Sequence, residues 1–167
     1  MKLSELMANI TPSADYEGFV TNDDFVLAVD CSQDGSAASV GDYCVAQLGV
    51  TGLDANLNPI TQDKTYIRAG QSTMKTGNQR AFKVSGDRYI GDAFQDFALS
   101  HAIKYGTGTG VIRKYVYFCL LNGKGEQGEA SIIVNSDGTG SAGESASIDI
   151  DIKKASAAPT EYTYSAT

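Results

Sequence analysis

The chain has 167 residues, 42% of them hydrophobic, and a formal net charge of −7. That is one domain by size, with enough apolar content for a real core. No apolar run is long enough for a membrane span, Met1 to Ile10 lacks the apolar stretch of a signal peptide, and the three cysteines have no metal-type spacing.

Leu3, Leu6, Met7 and Ile10 have helical spacing, but Thr11-Pro12 ends it, and so short a helix is not stable alone in water. Residues 1–22 therefore read as a flexible N-terminal arm that orders on meeting a partner. Asp24 to Cys31 reads as a strand, with Phe25, Leu27, Val29 and Cys31 on one face. Gln33 to Asp42 is small and polar, a hairpin loop, and Tyr43 to Leu53 is a second strand. Asn58-Pro59 marks a turn. Lys64 to Arg68 is a short strand, Ala69 to Gln79 a mobile basic loop, and Arg80 to Val84 another strand.

Asp92 to Tyr105 reads as one helix. Ile90, Phe94, Phe97, Ala98, His101 and Tyr105 fall on one stripe at 3.6 residues per turn. Asp92 suits the positive end of the helix dipole, Lys104 the negative end, and Gly106 the left-handed cap. Leu99 and Ile103 then lie on the opposite face, as scattered surface or as a subunit contact.

Val111 to Leu121 is a long strand, mostly β-branched or aromatic and apolar on both faces. Both faces are therefore covered, one by the helix and the other by more sheet. Glu129 to Val134 and Ser145 to Ile152 form a hairpin around a long loop at Asp137-Gly138. Ala146, Ile148, Ile150 and Ile152 point inward, Asp149 and Asp151 outward. Lys153 to Pro159 is linker-like, and Thr160 to Thr167 is an extended tail able to add to a sheet edge. With 18 glycines spread between apolar runs, the fold class is mainly β: a β-sandwich or barrel of about eight strands with one packed α-helix near residues 91–105. The organisation is an arm (1–22), a β-sandwich body (23–153) and a C-terminal tail (154–167).

No enzyme motif survives inspection. Gly123-Lys-Gly125-Glu-Gln-Gly128 has the spacing of a dinucleotide fingerprint, but a strand follows it where a helix is needed. His101 lies on the apolar stripe with no marked nucleophile or carboxylate, which makes it a core histidine. Asn135 and Asp137 lack the other ligands of a calcium loop. Asp149 and Asp151 share a face, as solvated carboxylates commonly do. Neither cofactor nor metal is expected. Cys31, Cys44 and Cys119 read as single buried thiols of a reducing compartment, with a cross-strand Cys31–Cys44 pair as the alternative.

Charge is segregated. Residues 1–63 carry −9, residues 64–114 carry +6 and residues 115–167 carry −4. Such a split is either solvated surface or the basis of head-to-tail self-association, with Lys75 and Arg80 as contact candidates in the basic segment.

Tyr115-Val-Tyr-Phe-Cys-Leu-Leu-Asn-Gly-Lys-Gly-Glu126, Ala130-Ser-Ile-Ile-Val-Asn-Ser-Asp-Gly138 and Ala146-Ser-Ile-Asp-Ile-Asp-Ile152 together resemble the tail tube (major tail) proteins of long-tailed bacteriophages of Gram-positive hosts. Thr65 to Thr73 and Gly86 to Phe94 resemble them too, so the likeness covers about residues 43–155. It implies a β-sandwich flanked by a helix, six subunits to a ring, and joined sheets forming a barrel around a lumen. It further implies rings stacked around a tape-measure protein, terminator and baseplate or tail-tip partners, and DNA passing through without specific binding. The place would be the virion tail, assembled in the host cytoplasm, and no residue would be catalytic. In that setting Asp24, Asp30, Asp149 and Asp151, which face away from the inward apolar sets, are lumen candidates: an acidic wall repels DNA phosphates. Two rivals remain. One is a carbohydrate- or host-binding β-sandwich with Tyr162 and Tyr164 as its aromatics; the other is a carboxylate-pair hydrolase.

Overall fold

A computed structural model of the chain describes residues 1–165. Helix α1 (Leu3–Met7) precedes β1 (Phe25–Val29), β2 (Cys44–Val45), β3 (Val50–Asn56), β4 (Pro59–Tyr66), β5 (Gly70–Asn78) and β6 (Ala81–Asp87). Then come α2 (Ala93–Ala98), α3 (His101–Lys104), β7 (Ile112–Cys119), β8 (Lys124–Thr139), β9 (Ser147–Lys154) and β10 (Thr160–Thr163). The mainly β class holds: eight strands form one curled antiparallel sheet, a half-barrel, and β4 with β5 forms a separate hairpin.

β8 is the spine of the sheet. Its first half pairs with β7, from Phe118↔Gly125 to Ile112↔Ser131. Its second half pairs with β9, from Ala130↔Lys154 to Thr139↔Ser147. β10 pairs with the start of β8, from Thr163↔Lys124 to Thr160↔Gln127, so it prolongs β9 along one side of that strand. The expected edge-adding tail is therefore present over Thr160–Thr163; its last two positions, 166 and 167, lie outside the described residues. Outward from this centre the order is β2-β1-β7-β8-β9-β6-β3. Gly125 is obligatory because a Cβ there would run into the Tyr117 carbonyl and Phe118 on the adjacent strand.

One sheet face builds the larger core. Leu27, Val29, Phe82, Val84, Tyr115, Ile132, Ile148, Ile150 and Ile152 meet Phe94, Ala98, Leu99 and Ile103 of the helices. The second face is covered only at its β1–β7 end, where Val26, Ala28, Val116 and Phe118 meet Leu3, Met7, Tyr43 and Val45. Both faces of β7 are thus covered, as its sequence requires. The second cover, however, is α1 and the C-terminal tail instead of another sheet. An arm expected to wait for a partner has docked its first turns on its own sheet, because Leu3 and Met7 bury almost completely there.

The expected single helix is two. Leu99 ends α2, and Ser100 is extended (ψ 154°) before α3 starts. This break re-aims the second segment, so Ile103 faces the core beside Leu99, while Ile90, His101 and Tyr105 are exposed. His101 is therefore no core histidine; it packs on Tyr105 at the surface. Asp92 does cap the helix, its carboxylate accepting from the Gln95 amide at 3.0 Å. Gly106 does not take a left-handed φ; it is needed because a Cβ would strike the Ala102 carbonyl.

The Ala69–Gln79 stretch, expected as a loop, is strand β5. The Tyr43–Leu53 strand is split between β2 and β3, which lie at opposite ends of the sheet. A groove of about 240 Å³ separates those ends, lined by Phe25, Val45, Val50, Leu53 and Leu120. It is bridged where the Asn22 side-chain amide donates to the Leu53 carbonyl at 3.3 Å.

Candidate assembly surface

The most exposed ordered element is the β4–β5 hairpin. Asn58, with φ 42°, turns the chain into Pro59, and its side-chain amide donates to the Gln79 carbonyl at 3.1 Å. Gln79 in turn donates through Nε2 to the Lys154 carbonyl at 3.2 Å, which anchors the base of the hairpin on β9. From there the ladder runs to Tyr66↔Gly70, with one register shift after Ile60. Thr73 Oγ1 donates to Asp63 Oδ1 at 2.7 Å across the strands. At the tip Arg68 holds a left-handed φ of 65°, uncommon for a side chain of that size.

Every residue of β4 is exposed, as is β5 from Gly70 to Thr76. Ile67 is 93% exposed, and Ile60, Tyr66 and Met74 are each about half exposed. Lys64, Arg68 and Lys75 make the hairpin basic against a single carboxylate, Asp63. A lone two-stranded ribbon is marginal in water. Here it carries apolar side chains that nothing in the described chain covers. The second half of the arm is similar: Phe19 is fully exposed and Val20 nearly half exposed.

The other open region is the second sheet face beyond the reach of α1. Register places Asp54, Lys83, Asp149, Asp151 and Lys153 on it together. It is a mixed-charge surface, with Lys83 Nζ 3.1 Å from Asp149 Oδ2 and Lys153 Nζ 3.5 Å from Asp151 Oδ2. The Asp149 hydrogen bond raises the pKa of Lys83. Asp149 and Asp151 thus stand side by side as expected, but lysines partner both. Across the sheet Lys104 Nζ meets Asp137 Oδ2 at 2.8 Å, tying α3 to the far end of β8.

The remaining candidates lie elsewhere. Asp24 is half-buried and accepts from the Thr21 amide at 2.7 Å, capping a short helical turn before β1. Asp30 is buried at 1% exposure, where it accepts from Ser32 N, Ser32 Oγ and Ala37 N. Its role is to order the loop after β1, so its expected outward position is corrected. Arg80 is also internal: its Nε lies 2.7 Å from Glu126 Oε1, and its guanidinium stacks over Phe82 at 4.4 Å and Tyr117 at 5.2 Å. Leu99 and Ile103 belong to the core: Leu99 continues the buried face of α2 set by Phe94, Gln95 and Ala98, and the break at Ser100 turns Ile103 inward. Of the four contact candidates only Lys75 is exposed. Tyr162 and Tyr164 pack on Phe118 at 5.5 and 5.8 Å, so they form no open aromatic platform for sugars.

Two features escaped the sequence. Gln95 is fully buried and satisfied, its Oε1 accepting from the Tyr89 amide and its Nε2 donating to the Leu48 and Asp87 carbonyls. The length of the hairpin was hidden because its ladder carries Thr, Gln, Ser and Lys in place of an apolar alternation. Among the described residues no group of three or more His, Cys, Asp or Glu side chains could hold a metal ion. No helix among them is long and apolar enough to cross a membrane.

No protein-family model and no curated protein matches the sequence. Solved structures do match the fold. A chain in the tail of an empty gene transfer agent particle, determined with C6 symmetry, superposes with a TM-score of 0.59 at 17% identity, over 87% of this chain and all of that one. A chain of the native gene transfer agent virion gives 0.55 at 14%, over 88% of this chain and all of that one. A chain of the tube-terminating cap of the anti-feeding prophage gives 0.53 at 11%, over 89% and 94%. At these identities the likeness is one of fold, and the fold is tail-tube-like.

Proposed function

We propose that this chain is a structural subunit of a phage-type tail tube, polymerising as stacked hexameric rings that form the conduit for DNA ejection. The observation that carries the reading is the β4–β5 hairpin: ordered, projecting, basic, and lined with apolar side chains left in water. Such a surface is a contact waiting for another subunit. Two further features support it. The sheet ends at β3 in an edge that neighbouring copies can join and so remove, whereas the β2 end is already bridged by Lys2 of the arm. The fold is also that of chains in a tail and in a tube-terminating cap.

In this reading the basic hairpin, Lys75 included, meets acidic surface of a neighbour, and the exposed part of the arm at Phe19 seals a junction. Asp149 and Asp151, with Asp24 near the sheet edge, remain the lumen candidates. Partners are the chain itself, a tape-measure protein, a tail terminator and baseplate or tail-tip proteins. DNA passes without being bound. The site is the virion tail, assembled in the host cytoplasm. The role is structural and involves no catalytic step, cofactor or membrane.

Electron microscopy of the purified protein, beside its sedimentation profile, tests this. Hollow tubes or six-fold rings are expected. A monomer at every concentration, above all one that binds glycans, would overturn the proposal in favour of a host-binding module.

A further inference from the structure

We propose that Cys31 and Cys44 form an oxidisable dithiol, which a peroxide closes into an intramolecular disulfide. The inference stands apart from the assembly reading and needs no second subunit.

Geometry carries it. Cys44 lies in β2 directly opposite Val29 of β1. Cys31 is two residues further along from Val29, so its side chain falls on the same face and diagonally across from Cys44. Diagonal cross-strand neighbours lie about 7–8 Å apart, with the Cβ atoms closer. That lies just beyond the range a disulfide spans without backbone movement. β1 ends at Val29, so Cys31 is outside the ladder and its distance to Cys44 is not fixed by the ladder's spacing. Both side chains join the same apolar cluster, and both sulfurs are free thiols.

The interaction of the two thiols divides the chemistry. It raises the Cys31 pKa, with burial adding to the rise, and lowers that of Cys44, which the chain's own amino terminus favours further. Cys44 is therefore the thiolate that attacks. Its sulfur takes one oxygen from hydrogen peroxide, and the O–O bond breaks to release hydroxide, leaving a sulfenic acid. The Cys31 sulfur then displaces that oxygen as water and forms the S–S bond, its proton leaving with the water. Two thiols and one peroxide give one disulfide and two waters. Cys44 is 8% exposed, which admits a molecule as small as peroxide, and Cys31 is half-buried beside it. Cys119 lies in β7 opposite Phe25, at the other end of β1 from this pair, and takes no part.

The crosslink would staple β2 to the end of β1 and close the loop between them, the segment that Asp30 orders from its other side. A protein made in a reducing compartment would carry the open form and acquire the staple on leaving it.

The test uses the full-length wild-type chain. It is exposed to stoichiometric hydrogen peroxide, denatured, alkylated and weighed, then mapped by non-reduced peptide digestion. The expected result is one reactive thiol per chain, at Cys119, a linked peptide joining Cys31 to Cys44, and full recovery of three thiols with dithiothreitol. Cys31→Ser should stop the reaction at a Cys44 sulfenic acid that a dimedone probe traps. Three alkylated thiols after peroxide, over-oxidised Cys44 beside a free Cys31, or a crosslink only between chains would each overturn the proposal. Because the wild type carries the decisive readout, a misfolded Cys31→Ser variant does not blunt the test.

Discussion

Arg80→Ala should destabilise the fold instead of merely loosening a contact. The guanidinium pairs with Glu126 at 2.7 Å, its side chain 9% exposed and that of Glu126 25% exposed. Removing one partner of a buried pair costs about 3–5 kcal/mol, because the other charge is left without its counter-ion. Glu126 keeps some water and still accepts from the Tyr115 hydroxyl at 3.2 Å, which places this loss near the bottom of that range. Stacking over Phe82 and Tyr117 adds about 0.5–2 kcal/mol. The sum is about 3.5–5 kcal/mol. With a urea m-value of about 2 kcal/mol/M, the midpoint should fall by about 2–2.5 M. The chain has no Trp, so far-UV circular dichroism and tyrosine fluorescence are the probes. Arg80→Met, which keeps the stem on the rings, should lose less. A double-mutant cycle with Glu126→Ala should show coupling of about 1–3 kcal/mol. A loss below about 0.5 kcal/mol, or coupling near zero, would refute the internal role and return Arg80 to the surface.

Lys75→Glu is the contrasting case: stability should stay within about 0.5 kcal/mol of wild type while sedimentation shows weaker self-association. Unchanged assembly would sink the charge-contact idea for the hairpin. Leu99→Ala and Ile103→Ala should each cost about 2–4 kcal/mol in urea, since both fill the core under the sheet. A neutral result at either would put that side chain outside the core. The Lys104 hydrogen bond holds the Asp137 carboxyl below its ordinary value of 3.8. The folded pKa is the lower one, so the contribution of this pair is complete above about 3.8 and is lost as pH falls through the folded value. Carboxyl NMR should show the Asp137 midpoint rising toward 3.8 in Lys104→Ala, and an unmoved midpoint would remove the pair.

The sheet was legible where burial imposes a period. Ile148, Ile150 and Ile152 alternate with Asp149 and Asp151 in the sequence, and the chain folds that way. The two apolar faces of Tyr115 to Phe118 correctly announced two covered faces. Legibility failed where a single polar residue redirects the chain. Ser100 takes an extended conformation and splits one apparent helix, which moved Ile103 from the outer face to the core, while Leu99 shares the buried face of α2 with Phe94, Gln95 and Ala98. It failed again where an ion pair replaces apolar burial, as at Arg80, and where a ladder forms without an apolar stripe, as in the hairpin. Asp30 was misplaced for a related reason: strand alternation put it outward, but β1 ends at Val29 and the chain folds back over the carboxylate.

The strand order carries a consequence for how the chain comes to be folded. β1 and β2 have no sheet partner other than each other until β7 arrives, and β3 with β6 waits for β9 to be joined to the rest. About two thirds of the chain precedes Ile112. A ribosome working from the N-terminus therefore releases two unconnected strand pairs, the second interrupted by the hairpin, well before the central meander of β7, β8 and β9 can unite them. Such late, distant pairings make folding slow. The sheet that carries the hairpin becomes one rigid body only when the last quarter of the chain has emerged, which in the proposed tail-tube role would delay assembly until synthesis is nearly done.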